Sequence, residues 1–186
     1  MAVDPQLLAQ ALRTPESQDV TETPIARAVI LTEPANVVDL VPALERGDTL
    51  ESRNARRILC QFGPDAVPHL LGALAATASA DARAEGVAVL WALLSVEEPH
   101  VVRAQLRDAW PAVGALLRDP SRLPDTVPEY VERDFTGRVC DLAYVVVEEL
   151  LDHRFDQTSF RVLDDGGRDR AIRELLSGGL GSPPVA

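Results

Sequence analysis

The sequence contains no lysine, so all 18 of its basic residues are arginines. This absence excludes Schiff-base chemistry, a phosphate-loop lysine and a lysine general base. Aromatic residues make up only 4% of the chain, so its core must consist mainly of Leu, Val and Ala. No apolar run approaches the roughly 20 residues that span a bilayer, and residues 1–5 lack the basic and apolar regions of a secretory signal. The sequence therefore predicts a cytoplasmic protein without a membrane partner.

Motifs for catalysis, metal binding and nucleotide binding are also missing. Cys60 and Cys140 lie in apolar stretches with no C-x-x-C spacing, which predicts two buried thiols. No serine lies in a G-x-S-x-G turn, and no G-x-G-x-x-G or phosphate loop is present. We therefore expect a protein that is not an enzyme, with no catalytic residue, cofactor or bound metal.

The balance of charge is strongly acidic, with a net charge of −11 and a pI near 4.7. An acidic protein is repelled by nucleic-acid phosphates and anionic membranes, whereas a basic protein partner is attracted. The acidity is concentrated in residues 125–165, which hold eleven acids and four arginines. The charge therefore favours a basic protein as the partner and disfavours nucleic acid.

Apolar residues recur at helical spacing through most of the chain, which predicts an all-α fold. The spacing and the cap residues predict helices over residues 5–13, 24–33, 36–46, 49–62, 64–75, 81–95, 100–117, 129–155 and 168–176. Pro42 and Pro111 lie inside two of these ranges, so we expect a kink or a restart at each. Residues 177–186 contain three glycines and two prolines, which indicates a flexible tail.

Residues 62–74 carry the most distinctive pattern. We expect Gly63 to close one helix in the left-handed conformation and Pro64 to open the next. Ala-Val-Pro and a pair of leucines then follow around Pro68, and similar apolar-Pro segments surround Pro42 and Pro111. Pro42 and Pro68 are 26 residues apart, and Pro68 and Pro111 are 43 apart. A spacing of about 40–47 residues is typical of HEAT repeats.

This pattern resembles the second-helix signature of HEAT-like helical repeats over residues 23–155, including the short-repeat bacterial type related to phycobilisome lyases. The resemblance implies a right-handed α-solenoid of stacked antiparallel helical hairpins. We divide the chain into an N-terminal helix and connector (1–22), a HEAT-like domain (23–176) and a tail (177–186). The abundance of Ala, Arg and Val indicates a GC-rich bacterial genome.

One acidic cluster has ligand-like chemistry. Glu148 and Asp152, and likewise Glu149 and His153, are four residues apart, so each pair shares a helix face. Bundles that bind metals through carboxylates use Glu-x-x-His twice, and no second copy is present. We therefore predict a partner-binding surface at Glu148, Glu149 and Asp152.

An arginine cluster is the candidate site for binding nucleic acid. Arg53, Arg56 and Arg57 share one predicted helix and form either a basic patch or ion pairs with acids of neighbouring repeats, such as Glu45, Glu51 or Asp65. We favour the ion pairs. HEAT-like DNA glycosylases use aromatic and acidic residues beside a basic groove; Trp91, Trp110 and Asp108 supply those residue types, but nothing in the sequence brings them together.

Two functions follow. The leading hypothesis is a HEAT-like protein-binding module or scaffold that presents an acidic helical surface to a basic partner, with a neutralising inhibitor or immunity-type protein as its narrower form. The alternative is a HEAT-like enzyme that acts on nucleic acid, like a DNA glycosylase, or on a bound small molecule, like a lyase. The oligomeric state is not predicted.

Overall fold

The computed structural model describes residues 3–123, 137–151 and 155–178. These residues form eleven α-helices and three short 3₁₀ helices, and they contain no strand apart from an isolated bridge between Arg122 and Arg138. The α-helices are α1 (Pro5–Leu12), α2 (Pro24–Ile30), α3 (Val41–Leu44), α4 (Leu50–Leu59), α5 (Val67–Ala76), α6 (Ala80–Leu94), α7 (Pro99–Asp108), α8 (Trp110–Leu116), α9 (Val139–Leu151), α10 (Gln157–Arg161) and α11 (Asp165–Gly178). The prediction of an all-α fold is confirmed. Within these ranges, none of the helices has the length and apolar character that crossing a membrane requires.

Five of the eleven described α-helices, α1, α2, α4, α6 and α7, begin within one residue of a predicted start. Asp4, Thr23 and Thr49 each accept a hydrogen bond from a backbone N–H in the first turn of α1, α2 and α4. Such a cap satisfies an N–H group that has no partner within the helix. The prediction for α6 is off by one residue, because Ser79 is the cap there and the helix begins at Ala80.

The three marked prolines occupy the same place in their helices. Pro42, Pro68 and Pro111 are each the second residue of α3, α5 and α8. Proline is tolerated there because the N–H that it lacks would have no intrahelical acceptor. The 3₁₀ helix Pro34–Asp39 therefore precedes α3 as a separate element, and α7 ends before α8. The prediction of a break at Pro42 and Pro111 is correct, and the form of the break is a restart.

Two predictions of local structure are wrong, besides the missed α10 and the start of α11, which lies at Asp165 and not at residue 168. Gly63 has an extended backbone with φ −77°, whereas Gly47 takes the left-handed conformation with φ 63°. The other error is the start of the long C-terminal helix, predicted at residue 129. The described part of this helix begins at Val139, and residues 124–136 and 152–154 lie outside the described residues.

The start of α9 is held by contacts with the preceding loop. The N–H groups of Val139 and Cys140 donate to the carbonyls of Ser121 (2.8 Å) and Asp119 (3.0 Å). The carboxylate of Asp141 accepts the N–H of Arg138 at 3.0 Å, as the acid of a capping box does. The two carbonyl groups belong to residues distant along the chain, so helical periodicity alone could not locate the boundary.

The helices pack in two rows. One row consists of α3, α5 and α8, the three helices with proline at the second position. In this row α5 contacts both α3 and α8. In the other row, α4 contacts α2 and α6, and α6 contacts α9. The rows are joined where α3 packs on α4 and α5 packs on α6. The N-terminal α1 packs on α2 and α4, and the C-terminal α11 packs on α9.

A single apolar cluster runs through both rows, from Val3 to Ile172. Helix α6 is buried on almost every side, which agrees with its heavy apolar loading in the sequence. At the N-terminal end, the buried Asn54 of α4 donates to the carbonyls of Leu12 (3.0 Å) and Thr14 (2.8 Å). Val3, Ala11 and Val20, from residues 1–22, also belong to this cluster.

Candidate partner-binding edge

Three loops that follow helices of one row lie side by side. We call residues 31–34, 60–65 and 95–99, which follow α2, α4 and α6, the loop edge. The 3₁₀ helix Pro34–Asp39 contacts the 3₁₀ helix Pro64–Ala66, and this in turn contacts α7. The two 3₁₀ helices begin in the first and second loops, at Pro34 and Pro64, and α7 begins in the third loop, at Pro99. Their contacts therefore place the three loops in sequence order along one edge.

The C-terminal turn of α9 adjoins the same edge. Helix α7 begins in the third loop and packs against α9. Within that contact, Nη2 of Arg103 donates a hydrogen bond of 3.3 Å to the carbonyl of Leu151. Leu151 is the last residue of α9. The C-terminal ends of α2, α4, α6 and α9 are therefore neighbours.

The loop edge is acidic. Glu33, Asp65 and Glu98 are exposed there, and Glu97 is half-buried. Residues 31–39, 60–66 and 95–100 contain no arginine. Helix C-termini and the N-terminus of α7 both lie at this edge, so their partial charges of opposite sign offset each other. The exposed acids are therefore the groups of these loops that favour cationic side chains of a partner.

Two of the most exposed apolar side chains also lie on the loop edge. Leu31 is 85% exposed and Val96 is 84% exposed, each just beyond the C-terminal end of a helix. Glu33 and Glu97 are close to them in sequence. An apolar contact surrounded by charge is the usual composition of a protein-binding surface, with a dry centre and a polar rim.

Two members of the predicted acidic cluster are described, and they lie beside this edge. Glu148 and Glu149 are half-buried in the last turns of α9. Burial raises the pKa of Glu149, against the effects of Arg161 and of a hydrogen bond from Trp91. Its Oε1 atom also accepts a hydrogen bond from Gln157. Glu149 therefore links α9 to α6 and α10. Asp152 and His153, the other predicted members, lie outside the described residues.

The arginine cluster on α4 is engaged mainly in ion pairs. Arg53 pairs with Glu16 and Asp48, and Arg56 pairs with Glu85 at 3.0 Å. These acids are not the three named as examples in the sequence analysis. Helix α4 turns its arginines toward the connector after α1 and toward α6, a placement that sequence spacing does not reveal.

An open pocket of about 570 Å³ adjoins this cluster. Arg57 is exposed at the pocket, whose lining also includes Asp19, Gln61 and the half-buried Cys60. Burial raises the pKa of the Cys60 thiol, which disfavours the thiolate that a nucleophile needs. The lining combines both signs of charge, so the pocket has no strong preference for an anion.

Other candidate groups show no arrangement for catalysis among the described residues. Cys140 is buried, and burial raises its pKa to about 11. No group of three or more His, Cys, Asp or Glu within these ranges is placed to hold a metal ion. Trp91, Trp110 and Asp108 lie on three different helices, α6, α8 and α7.

The loop edge was missed by the sequence analysis, although a signal for it exists. An acid lies next to proline in each loop, as Glu33-Pro34, Pro64-Asp65 and Glu98-Pro99. Each proline has a local explanation, because proline is favoured at the start of a helix. The pattern alone therefore does not indicate a shared surface. Only the contacts between the loops show that the acids line one edge.

Comparisons with protein families, with curated proteins and with solved structures found no match. The fold by itself defines the class as an all-α protein.

Proposed function

We propose that the protein is a non-catalytic, HEAT-like α-solenoid that binds a basic protein through the loop edge and the adjoining C-terminal turn of α9. The observation that carries this proposal is the composition of the loop edge. Exposed Glu33, Asp65 and Glu98 lie there with exposed Leu31 and Val96, and the three loops contain no arginine. A basic surface with apolar groups opposite Leu31 and Val96 complements this composition.

The arrangement of the helices supports the repeat architecture. Helices α3, α5 and α8 share a proline at the second position and contact one another in order. Helices α4, α6 and α9 form the companion row. In a solenoid, each repeat contacts its neighbours and the loops of successive repeats form a continuous surface. The loop edge is such a surface.

Binding would proceed in two physical steps. The acidic edge, within a protein of net charge −11, attracts a basic partner and speeds its encounter. Leu31 and Val96 then lose water against apolar groups of the partner, which slows dissociation. Neutralisation of a basic toxin or enzyme, as by an immunity-type protein, is the narrower form of this proposal.

The test measures how tightly three sets of variants bind a partner recovered by affinity capture from the source organism. The first set is Glu33→Gln, Asp65→Asn and Glu98→Gln together; the second is Glu148→Ala, Glu149→Ala and Asp152→Ala together. The control set neutralises exposed acids away from the edge, Asp108→Asn, Asp165→Asn and Glu174→Gln. We expect the first set to weaken binding about tenfold or more at low salt, because three complementary charges are lost.

The dependence on salt decides the interpretation. The loss of affinity should shrink as NaCl rises from about 0.05 M to about 0.5 M, since salt screens exposed charges. Equal binding by the wild type, the first set and the control would refute the loop edge. If only the second set loses affinity, the binding site lies on α9 and not on the loop edge. Retention of duplex DNA that depends on Arg57 would instead support the enzyme alternative.

A further inference from the structure

Helix α11 is attached to the molecule with little apolar burial. Ile172 is its one fully buried side chain among the described residues. Ala171, Leu175 and Leu176 are only partly buried against the core. One buried side chain is modest apolar burial for a helix of 14 residues. Polar contacts therefore contribute to its docking beside these apolar ones.

Those polar contacts centre on Asp141 of α9, which has 0% exposure. Nη2 of Arg138 lies 2.9 Å from Oδ1 of Asp141 and 2.8 Å from Oδ1 of Asp169 in α11. Nη1 of Arg168, also in α11, lies 3.5 Å from Oδ2 of Asp141. Two arginines and two aspartates thus alternate across the boundary between α9 and α11.

Arg168 makes two further contacts with α10. Its Nη2 atom donates to the carbonyl of Arg161 at 2.7 Å, and its guanidinium lies 5.9 Å from the ring centroid of Phe160. Phe160 in turn stacks on Tyr144 of α9, with ring centroids 4.4 Å apart. The same arginine therefore holds α11 to both α9 and α10.

We propose that Arg138, Asp141, Arg168 and Asp169 form an ionic latch that makes α11 a releasable strap, able to detach while the remaining helices stay folded. This inference goes beyond the proposed function and does not depend on it. Charges regain their hydration when an ion pair separates, which offsets part of the lost attraction. Detachment of α11 therefore requires less free energy than unfolding of the apolar rows, whose attachment depends on buried Leu and Val.

Release of the strap would uncover a defined surface. Leu176 lies 3.7 Å from the position that a Cβ atom on Gly114 of α8 would take. Helix α11 also covers part of α9, where Asp141 lies. Detachment would expose these parts of α8 and α9 to a partner or to solvent.

Hydrogen exchange of the full chain tests the latch. The variant is Arg168→Gln, and its matched control is Arg170→Gln, which removes an exposed arginine from the same helix. We expect amides of α11 to exchange about tenfold or more faster in Arg168→Gln than in the wild type, because a buried pair is broken. Amides of α6, the central helix, should keep their wild-type rates, and the control should match the wild type throughout.

Each result decides the proposal. Equal acceleration in α6 and α11 would show global destabilisation and would overturn the latch, as would unchanged exchange in α11. If Arg168→Gln fails to fold, the wild type provides the second measurement. Raising NaCl from about 0.05 M to about 0.5 M should accelerate exchange in α11 relative to α6, because the side chain of Asp169 is 51% exposed and its ion pair is screened. A ratio that does not change with salt would overturn the latch.

Discussion

Gly86 and Gly72 are both helical glycines, but their surroundings differ. A Cβ atom on Gly86 would lie 2.3 Å from Cδ2 of Leu74, where α5 and α6 pack together. Leu74 is fully buried and has no solvent to turn into. Gly72 is exposed on α5, and a Cβ atom there would meet nothing within 4 Å.

We predict opposite effects for the same substitution at these two sites. Gly86→Ala should lower the free energy of unfolding by about 1–2 kcal/mol, since overpacking outweighs the better helix propensity of alanine. Gly72→Ala should raise it by about 0.5–1 kcal/mol, because alanine restricts the unfolded chain at no steric cost. Urea denaturation measures both. A stabilising Gly86→Ala would show that α5 and α6 are not in close contact at this point.

The helices α4 and α6 are joined by one buried ion pair. Nη1 of Arg56 lies 3.0 Å from Oε2 of Glu85, whose side chain is only 5% exposed. Burial raises the pKa of Glu85, and the attraction and hydrogen bond of Arg56 oppose that rise without cancelling it. The folded protein therefore binds a proton at Glu85 more tightly than the unfolded chain does.

This shift fixes the sign of a pH effect. At neutral pH the ionised Glu85 lowers stability, and this cost disappears as pH falls through the raised pKa toward the ordinary value of 4.5. Gln mimics the protonated acid and can still accept the hydrogen bond from Arg56. Glu85→Gln should therefore be more stable than the wild type at neutral pH, with an advantage that shrinks as the pH is lowered.

Urea denaturation at several pH values compares the two proteins. Glu174→Gln, at an exposed position of α11, is the control and should follow the wild type at every pH. If Glu85→Gln is less stable than the wild type at neutral pH, the attraction of Arg56 exceeds the cost of burial. That result would make the pair a net stabiliser of the contact between α4 and α6.

Elements were predictable from the sequence to the extent that their signals are local. Caps such as Asp4 and Thr23, and the prolines that open α3, α5 and α8, act within one helical turn. The start of α9 depends on carbonyl groups of residues 119 and 121, which are distant along the chain. The short α10 was missed, because its one buried side chain, Phe160, packs on Tyr144 and leaves no apolar period.

At the scale of the whole molecule, one apolar cluster joins the N-terminal Val3 to the C-terminal Ile172. No part of the described core is separate, so we predict that the helices from α1 to α9 unfold together. Fluorescence of Trp91 and Trp110 and hydrogen exchange of amides in α2 and α4 should give the same urea midpoint, as two-state unfolding requires. Two separated midpoints would show that the repeats unfold independently.

The amino-acid sequence was enough to establish the helical class, the starts of helices such as α1 and α2, the repeated proline segments and the acidic charge. The helical class and these starts could be predicted because apolar periodicity and caps depend on neighbours within about one or two turns. It did not show that Glu33, Asp65 and Glu98 line one edge, that Arg56 pairs with Glu85, or that Arg168 reaches Asp141. These are contacts between residues at least 27 positions apart. They follow from how the apolar faces of the helices pack together, and that packing exists only in the folded chain.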